Sequence, residues 1–268
     1  MTKSKILVLT NFNPQSEVAL LQSIYFANKT DSDIILLHII KGTKSANKSK
    51  SASIQNKLNK IIENYKGSCQ LVFNSRIEYG KVIPEILKVE KEIKPEFIFI
   101  GTERDSKPFN STTINLIDEV GCPVIVLSGR NMSKGCESIV LPLDLSKETK
   151  QKVDVTLNIA KTYDATVHII SATSDKDKKI EEKIKKQILS VKKVFDKNNV
   201  SCKTELLVKN NKATMANAII DYAHKINAGL IVIMTRQETS IEKFFVGSMA
   251  TRIIKKASIP VLCISPKC

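Results

Sequence analysis

Ile6-Leu7-Val8-Leu9-Thr10-Asn11 returns 133 positions later as Ile139-Val140-Leu141-Pro142-Leu143-Asp144. The same offset lays Ala27 over Ala160, Ile34-Ile35-Leu36-Leu37 over Val167-His168-Ile169-Ile170, Cys69 over Cys202, and the run from Phe97 to Ile100 over Leu230 to Ile233. Beyond Gly101 the offset becomes 137, so Cys122-Pro123-Val124-Ile125-Val126 meets Ile259-Pro260-Val261-Leu262-Cys263 and the first copy is four residues shorter there. A register held over such a length is the mark of duplication.

Within each copy, apolar runs of strand length alternate with stretches of helix length. The first is expected to form strands near 5–10, 33–40, 69–74, 97–100 and 123–127, with helices near 14–29, 52–65, 81–93 and 111–120. In the second, strands fall near 138–143, 166–171, 202–208, 230–234 and 260–264, with helices near 147–162, 176–198, 213–226 and 247–256. The strand runs are apolar without alternation, as strands covered on both faces are. Alternating strand and helix gives a parallel sheet wrapped by right-handed crossovers. The fold class is therefore α/β: two tandem five-stranded, parallel, doubly wound domains at 1–128 and 137–268, joined by a linker at 129–136. Ligands of such sheets lie outside the carboxyl ends of the strands, where strand order reverses. Attention falls on Thr10-Asn11, His38-Ile39 and Gly101 onward, and on Leu143-Asp144 and Met234 onward.

Composition narrows the function classes. Of 268 residues, 42% are hydrophobic and 26% charged, as in a globular protein. The longest apolar run, Ile34 to Ile40, contains His38 and is too short to span a bilayer. Met1-Thr2-Lys3-Ser4-Lys5 leads directly into a strand, without the apolar core of a signal peptide, so the expected location is cytoplasmic. Six cysteines, at 69, 122, 136, 202, 263 and 268, form no Cys-x-x-Cys pair, and the three histidines supply no zinc spacing. They read as reduced, structural thiols.

A net charge of +15 raises the question of nucleic acid. Few of the 42 basic residues are arginine, and there is no Trp for base stacking. The densest basic stretch, Lys176 to Lys197, carries Ile180, Ile184, Ile188, Val191 and Phe195 at the spacing of one buried helix face, which leaves its lysines solvated. Only non-specific electrostatic binding to nucleic acid is expected.

The strand-end positions carry a family likeness. Asn11-Phe12 with Ser16, Pro142-Leu143-Asp144-Leu145-Ser146, Leu36-Leu37-His38-Ile39, Phe97-Ile98-Phe99-Ile100-Gly101-Thr102, Phe244-Phe245-Val246-Gly247-Ser248 and Ile259-Pro260-Val261-Leu262 together resemble the universal stress proteins, over nearly the whole chain. The resemblance implies an adenine-nucleotide α-hydrolase-like (HUP) domain in each copy. It also implies a pseudo-symmetric intrachain pair formed through strands 123–127 and 260–264. A homodimer and a protein partner are further implied contacts.

ATP-binding members of that family end the first strand with an Asp and carry Gly-x-x-Gly, nine residues, then Gly-Ser or Gly-Thr. Glycines admit ribose and phosphate close to the backbone, and amides at a helix start bind anionic oxygens. By resemblance the cofactor-binding candidates are Asn11, Ile39, Gly101 and Ser111 in the first copy and Asp144, Gly247 and Ser248 in the second. The motif is eroded in both. The first copy has Asn11 for the acid and Arg104 for the second glycine; the second has Met234 and Gln237 in place of both glycines.

Each candidate also has an ordinary reading. Gly101 serves equally as a turn glycine, Gly247-Ser248 as a helix start, Asp144 as a cap, Arg104 as a solvated loop residue and His38 as a satisfied strand histidine. No Walker loop, dinucleotide fingerprint or nucleophile elbow occurs, so no catalytic residue is expected. Two functions remain: a non-enzymatic stress-response module with degenerate nucleotide sites, or a switch or weak ATPase that binds Mg-ATP in one modified pocket.

Overall fold

Burial of the apolar runs sets the core of two parallel sheets. The computed structural model describes residues 3–66, 71–103, 111–128, 135–143, 149–173, 178–208, 212–235 and 248–266. The chain divides into two compact units, Met1–Met132 and Ser133–Cys268. Most of the expected linker, 129–134, lies outside the described residues.

The first unit runs β1 (Lys5–Leu9), α1 (Pro14–Thr30), β2 (Asp33–Ile40), α2 (Lys48–Lys66), β3 (Phe73–Tyr79), α3 (Val82–Ile93), β4 (Phe97–Gly101), α4 (Ser111–Glu119) and β5 (Val124–Leu127). Its strands lie in the order β3-β2-β1-β4-β5, and every neighbouring pair is parallel. The second runs β6 (Ser138–Leu143), α5 (Thr149–Tyr163), β7 (Thr166–Thr173), α6 (Lys178–Lys197), β8 (Cys202–Val208), α7 (Lys212–Lys225), β9 (Leu230–Met234), α8 (Ser248–Lys256) and β10 (Val261–Ile264). Its order β8-β7-β6-β9-β10, again parallel, is the same winding. Ile6 stands between Ile34 and Phe97, and Ile139 between Val167 and Leu230, all of them buried. Strand order reverses between β1 and β4, and between β6 and β9, which places the two switch points.

One strand departs from expectation. β3 was expected near 69–74 but runs Phe73–Tyr79, paired with β2 from Ile34↔Phe73 to Ile40↔Tyr79. The apolar cluster Leu71-Val72-Phe73 lies in the expected span, yet Val72 is 49% exposed and precedes the strand. β3 is an edge strand, paired on one side only, so half-exposed polar residues occupy it and hydrophobicity does not mark it. The offset of 133 consequently slips here: Phe73, and not Cys69, is the structural counterpart of Cys202, which lies opposite Val167. Cys69 itself is outside the described residues.

Helix α1 is anchored at both ends. The Ser16 N–H donates to Asn13 Oδ1 at 2.8 Å, Pro14 supplies the first turn, and Asp31 closes the helix in the left-handed region. Phe26 on this helix meets Phe97 and Phe99 of β4 edge-to-face, at 4.9 and 5.7 Å between centroids. Left-handed residues recur at the repeat spacing, Asp31 with Asp164 (φ 49° each) and Lys94 (47°) with Asn227 (51°).

Candidate functional site

At the first switch point, the turn from β1 to α1 is closed by its own hydrogen bonds. Thr10 is buried, and its N–H donates to the Leu37 carbonyl at 2.9 Å. Its hydroxyl reaches Ser16 Oγ at 3.2 Å and accepts from the Phe12 N–H at 3.2 Å. Asn11 is exposed, and its Oδ1 accepts the Asn13 N–H at 3.1 Å, which closes a local turn. Phe12, held at φ 64°, lays its ring against His38 with centroids 4.8 Å apart. On either side of Phe12 open a cavity of about 160 Å³ toward Tyr65 and a cleft of about 390 Å³ walled by His38, Ile39 and the start of α2.

Gly101 ends β4 against the first turn of α1. A Cβ built there would stand 1.9 Å from the Gln15 carbonyl oxygen and 2.7 Å from the Ser16 nitrogen. Packing of strand on helix therefore requires the glycine, whatever else it does. Beside it, Gln15 Oε1 is buried and accepts no hydrogen bond among the described residues.

The second switch point is built on the same frame and filled differently. The Thr235 N–H donates to the Ile264 carbonyl at 3.0 Å as the Thr102 N–H does to Leu127 at 2.8 Å, which makes Met234 the structural counterpart of Gly101. Lys152 stands 133 positions after Ala19. Ala19 is fully buried; Lys152 is only 3% exposed and donates from Nζ to the Pro142 carbonyl at 2.7 Å. Two large side chains, one of them charged, thus occupy positions held by a glycine and an alanine in the first unit. The carbonyl ending the first strand is also tied by different chemistry: His38 Nδ1 donates to Thr10 O at 2.8 Å, and Ser171 Oγ to Leu143 O at 2.9 Å.

Burial pushes the His38 imidazole below its ordinary pKa; the Thr10 carbonyl opposes the shift, and Lys50 and Lys57 add to it. His168, bonded through Nδ1 to the Tyr222 hydroxyl at 2.9 Å, is likewise lowered by burial and by Lys203, against the opposing charge of Glu205. Both rings are favoured neutral in the fold, whereas an unfolded imidazole takes up a proton below about pH 6.5. Their contribution to stability is complete above that value and drains as pH falls below it. The urea midpoint should drop between about pH 7 and pH 5.5, and His38→Gln/His168→Gln should flatten that fall. An equal fall in the double variant would assign the acid sensitivity elsewhere. Burial also raises the Cys136 thiol to about 12 and moves Cys263 upward, so both stay protonated and inert at neutral pH.

Of the residues the resemblance singles out, Asn11, Ile39 and Gly101 come together around the first switch point. Ser111 begins α4 and Ser248 begins α8, but neither side chain is among those described. Asp144, Gly247, Gln237 and Arg104 lie outside the described residues. Motif reasoning passed over Lys152, although aligning the copies sets it against Ala19, a signal available in the sequence alone. Among the described residues, no three His, Cys, Asp or Glu gather as a metal site would need, and no helix is long and apolar enough to cross a membrane.

Comparison with known proteins agrees with this double architecture. The sequence model of the universal stress protein family matches residues 3–128 and again 136–265. A universal stress protein of Methanocaldococcus jannaschii is 30% identical over 154 residues, which span 52% of this chain and 86% of that protein. The crystal structure of a universal stress protein from Archaeoglobus fulgidus superposes with a TM-score of 0.76 at 16% identity, covering 97% of this chain and 96% of its own. A functionally unknown protein from Pseudomonas aeruginosa gives 0.72 at 18% identity, with 99% and 93% covered. Another Archaeoglobus fulgidus universal stress protein, solved in complex with dAMP, matches 50% of this chain and 99% of its own at 22% identity and a TM-score of 0.41.

Proposed function

Because the chain belongs to the universal stress protein family through both of its halves, we propose that it is a cytoplasmic, non-enzymatic stress-response module with degenerate nucleotide sites, working through contact with a protein partner. Pairing of its two copies as a pseudo-dimer, and of whole chains as a homodimer, belongs to the same reading. The observation that carries it is that, among the described residues, the chain's own groups take up positions at both switch points that a nucleotide would need. In the first unit, the Asn11 oxygen is engaged by Asn13 and Gly101 is pressed against Gln15. In the second, Met234 and Lys152 stand where the first unit has Gly101 and Ala19. A misfit of a few atoms in a packed site costs about 1–3 kcal/mol. Since about 1.4 kcal/mol is tenfold, two misfits carry a micromolar site to roughly millimolar.

Isothermal calorimetry with Mg-ATP on the intact chain tests the proposal. Binding weaker than about 1 mM is the expected result. Micromolar binding would replace it with the second reading, an ATP-dependent switch or weak ATPase. That reading is favoured by one atom: Gln15 Oε1, a buried acceptor at the first switch point that a ligand donor could satisfy.

A further inference from the structure

Beside the first switch point, the first unit opens two neighbouring clefts at the exits of β2 and β3. One is the cleft of about 390 Å³ beside Phe12; the other, of about 710 Å³, lies between the 41–44 loop and the turn from Tyr79 to Val82. Lys41 lines both. Lys50 and Lys57 complete the basic wall of the first and Lys44 and Lys81 that of the second, and among the described residues neither cleft is lined by an acid. The Gly80 N–H donates to the Ile40 carbonyl at 3.0 Å, which sets Lys41 and Lys81 on adjacent strand exits. Seven positions apart on α2, Lys50 and Lys57 are separated by about 10 Å along the helix.

The charge of this trough is uncompensated. Among the described residues none of the five lysines forms an ion pair, and Lys57 Nζ rests 5.5 Å from the centre of the Phe12 ring. Two carboxylates stand near the second cleft, Glu78 on β3 and Glu85 against Gly80, and both are paired with other cations. Glu78 is held by Arg76 at 2.6 Å and approached by Lys88 at 3.9 Å, and Glu85 is approached by Lys88 at 3.6 Å. Nor is the pattern a uniform scatter of lysine. In sequence, Lys41 and Lys44 lie 133 positions before Ser174 and Asp177, so the second copy does not repeat these lysines. Several like charges gathered around a concave surface without counterions focus the field on a multiply charged anion.

We infer that this trough is a binding site for a linear oligophosphate, its lysines meeting successive phosphate groups with charge-assisted hydrogen bonds. The trough borders the first switch point through Phe12, His38 and Ile39, and the inference rests on its lysines rather than on the glycine motif. Calorimetry of the full chain with sodium tripolyphosphate tests it, beside two variants that remove equal charge. Lys41→Gln/Lys44→Gln/Lys81→Gln should weaken binding about tenfold or more, while Lys178→Gln/Lys186→Gln/Lys193→Gln, on the exposed face of α6, should leave it within about twofold. Matching far-ultraviolet circular dichroism confirms that both variants fold. Absence of tripolyphosphate binding by the wild type, or equal loss in the two variants, would overturn the site. Competition names the source within the supported outcome: displacement of tripolyphosphate by ATP assigns the phosphate tail of a nucleotide, and no displacement assigns a free oligophosphate.

Discussion

Gly101→Val is expected to destabilise the first unit by about 3 kcal/mol, the upper part of the range for overpacked positions. The reason is what the new Cβ meets. Its nearest neighbours are backbone atoms, Gln15 O at 1.9 Å and Gln15 C at 2.2 Å, and a backbone cannot rotate aside as a flexible side chain can. Helix α1 cannot readily retreat either, because Asn13 and Pro14 set its first turn while Phe26 holds it against Phe97 and Phe99. Moving the helix would sacrifice those contacts. Urea unfolding should show the midpoint falling with little change in slope, and any separate transition of the second unit should stay where it was. A shift within about 0.5 kcal/mol, the size of a surface substitution, would mean that the helix start yields and that packing does not require the glycine.

Lys152→Ala should destabilise the second unit by a comparable amount, about 3 kcal/mol. Two losses act in the same direction. The buried four-carbon stem leaves a cavity, and removing the ammonium leaves the Pro142 carbonyl without its 2.7 Å donor. Lys152→Met separates them, since it keeps most of the volume and removes only the donor and charge; it should cost about 1 kcal/mol. If the methionine variant is instead the more stable by about 1 kcal/mol or more, burying the ammonium is a net cost, as some buried charges are. That outcome would point to retention of the lysine for a reason other than stability.

The architecture could be read from the chain because duplication wrote it twice. An apolar strand in one copy, such as Phe97-Ile98-Phe99-Ile100, is corroborated by its partner 133 positions on. Burial on both faces then makes the central strands continuous apolar runs. That logic failed at β3, where a strand paired on one side only is polar enough to look like a loop. The switch points could be located from the sequence, but what fills them could not be derived from motif spacing alone. Whether Gly101 admits a ligand or a helix depends on where Gln15 lies, and that contact links positions 86 residues apart in sequence. The lysine trough was hidden for a related reason. Its lysines come from α2, the 41–44 loop and the turn before α3, and no linear stretch reveals that they share a concave wall.

The matched left-handed turns at Asp31 and Asp164, and at Lys94 and Asn227, bear on how the two halves have aged. Main-chain conformation has outlasted the residues that adopt it: one pair still shares its amino acid, and the other pairs a lysine with an asparagine. The halves are in effect paralogues tied by a peptide bond, alike in their bends while Gly101 has parted from Met234 and Ala19 from Lys152. A tolerance map of one half is therefore a poor guide to the other. A side chain native to one half at its switch point, such as Met234, meets the backbone of Gln15 at the matching position of the other, Gly101.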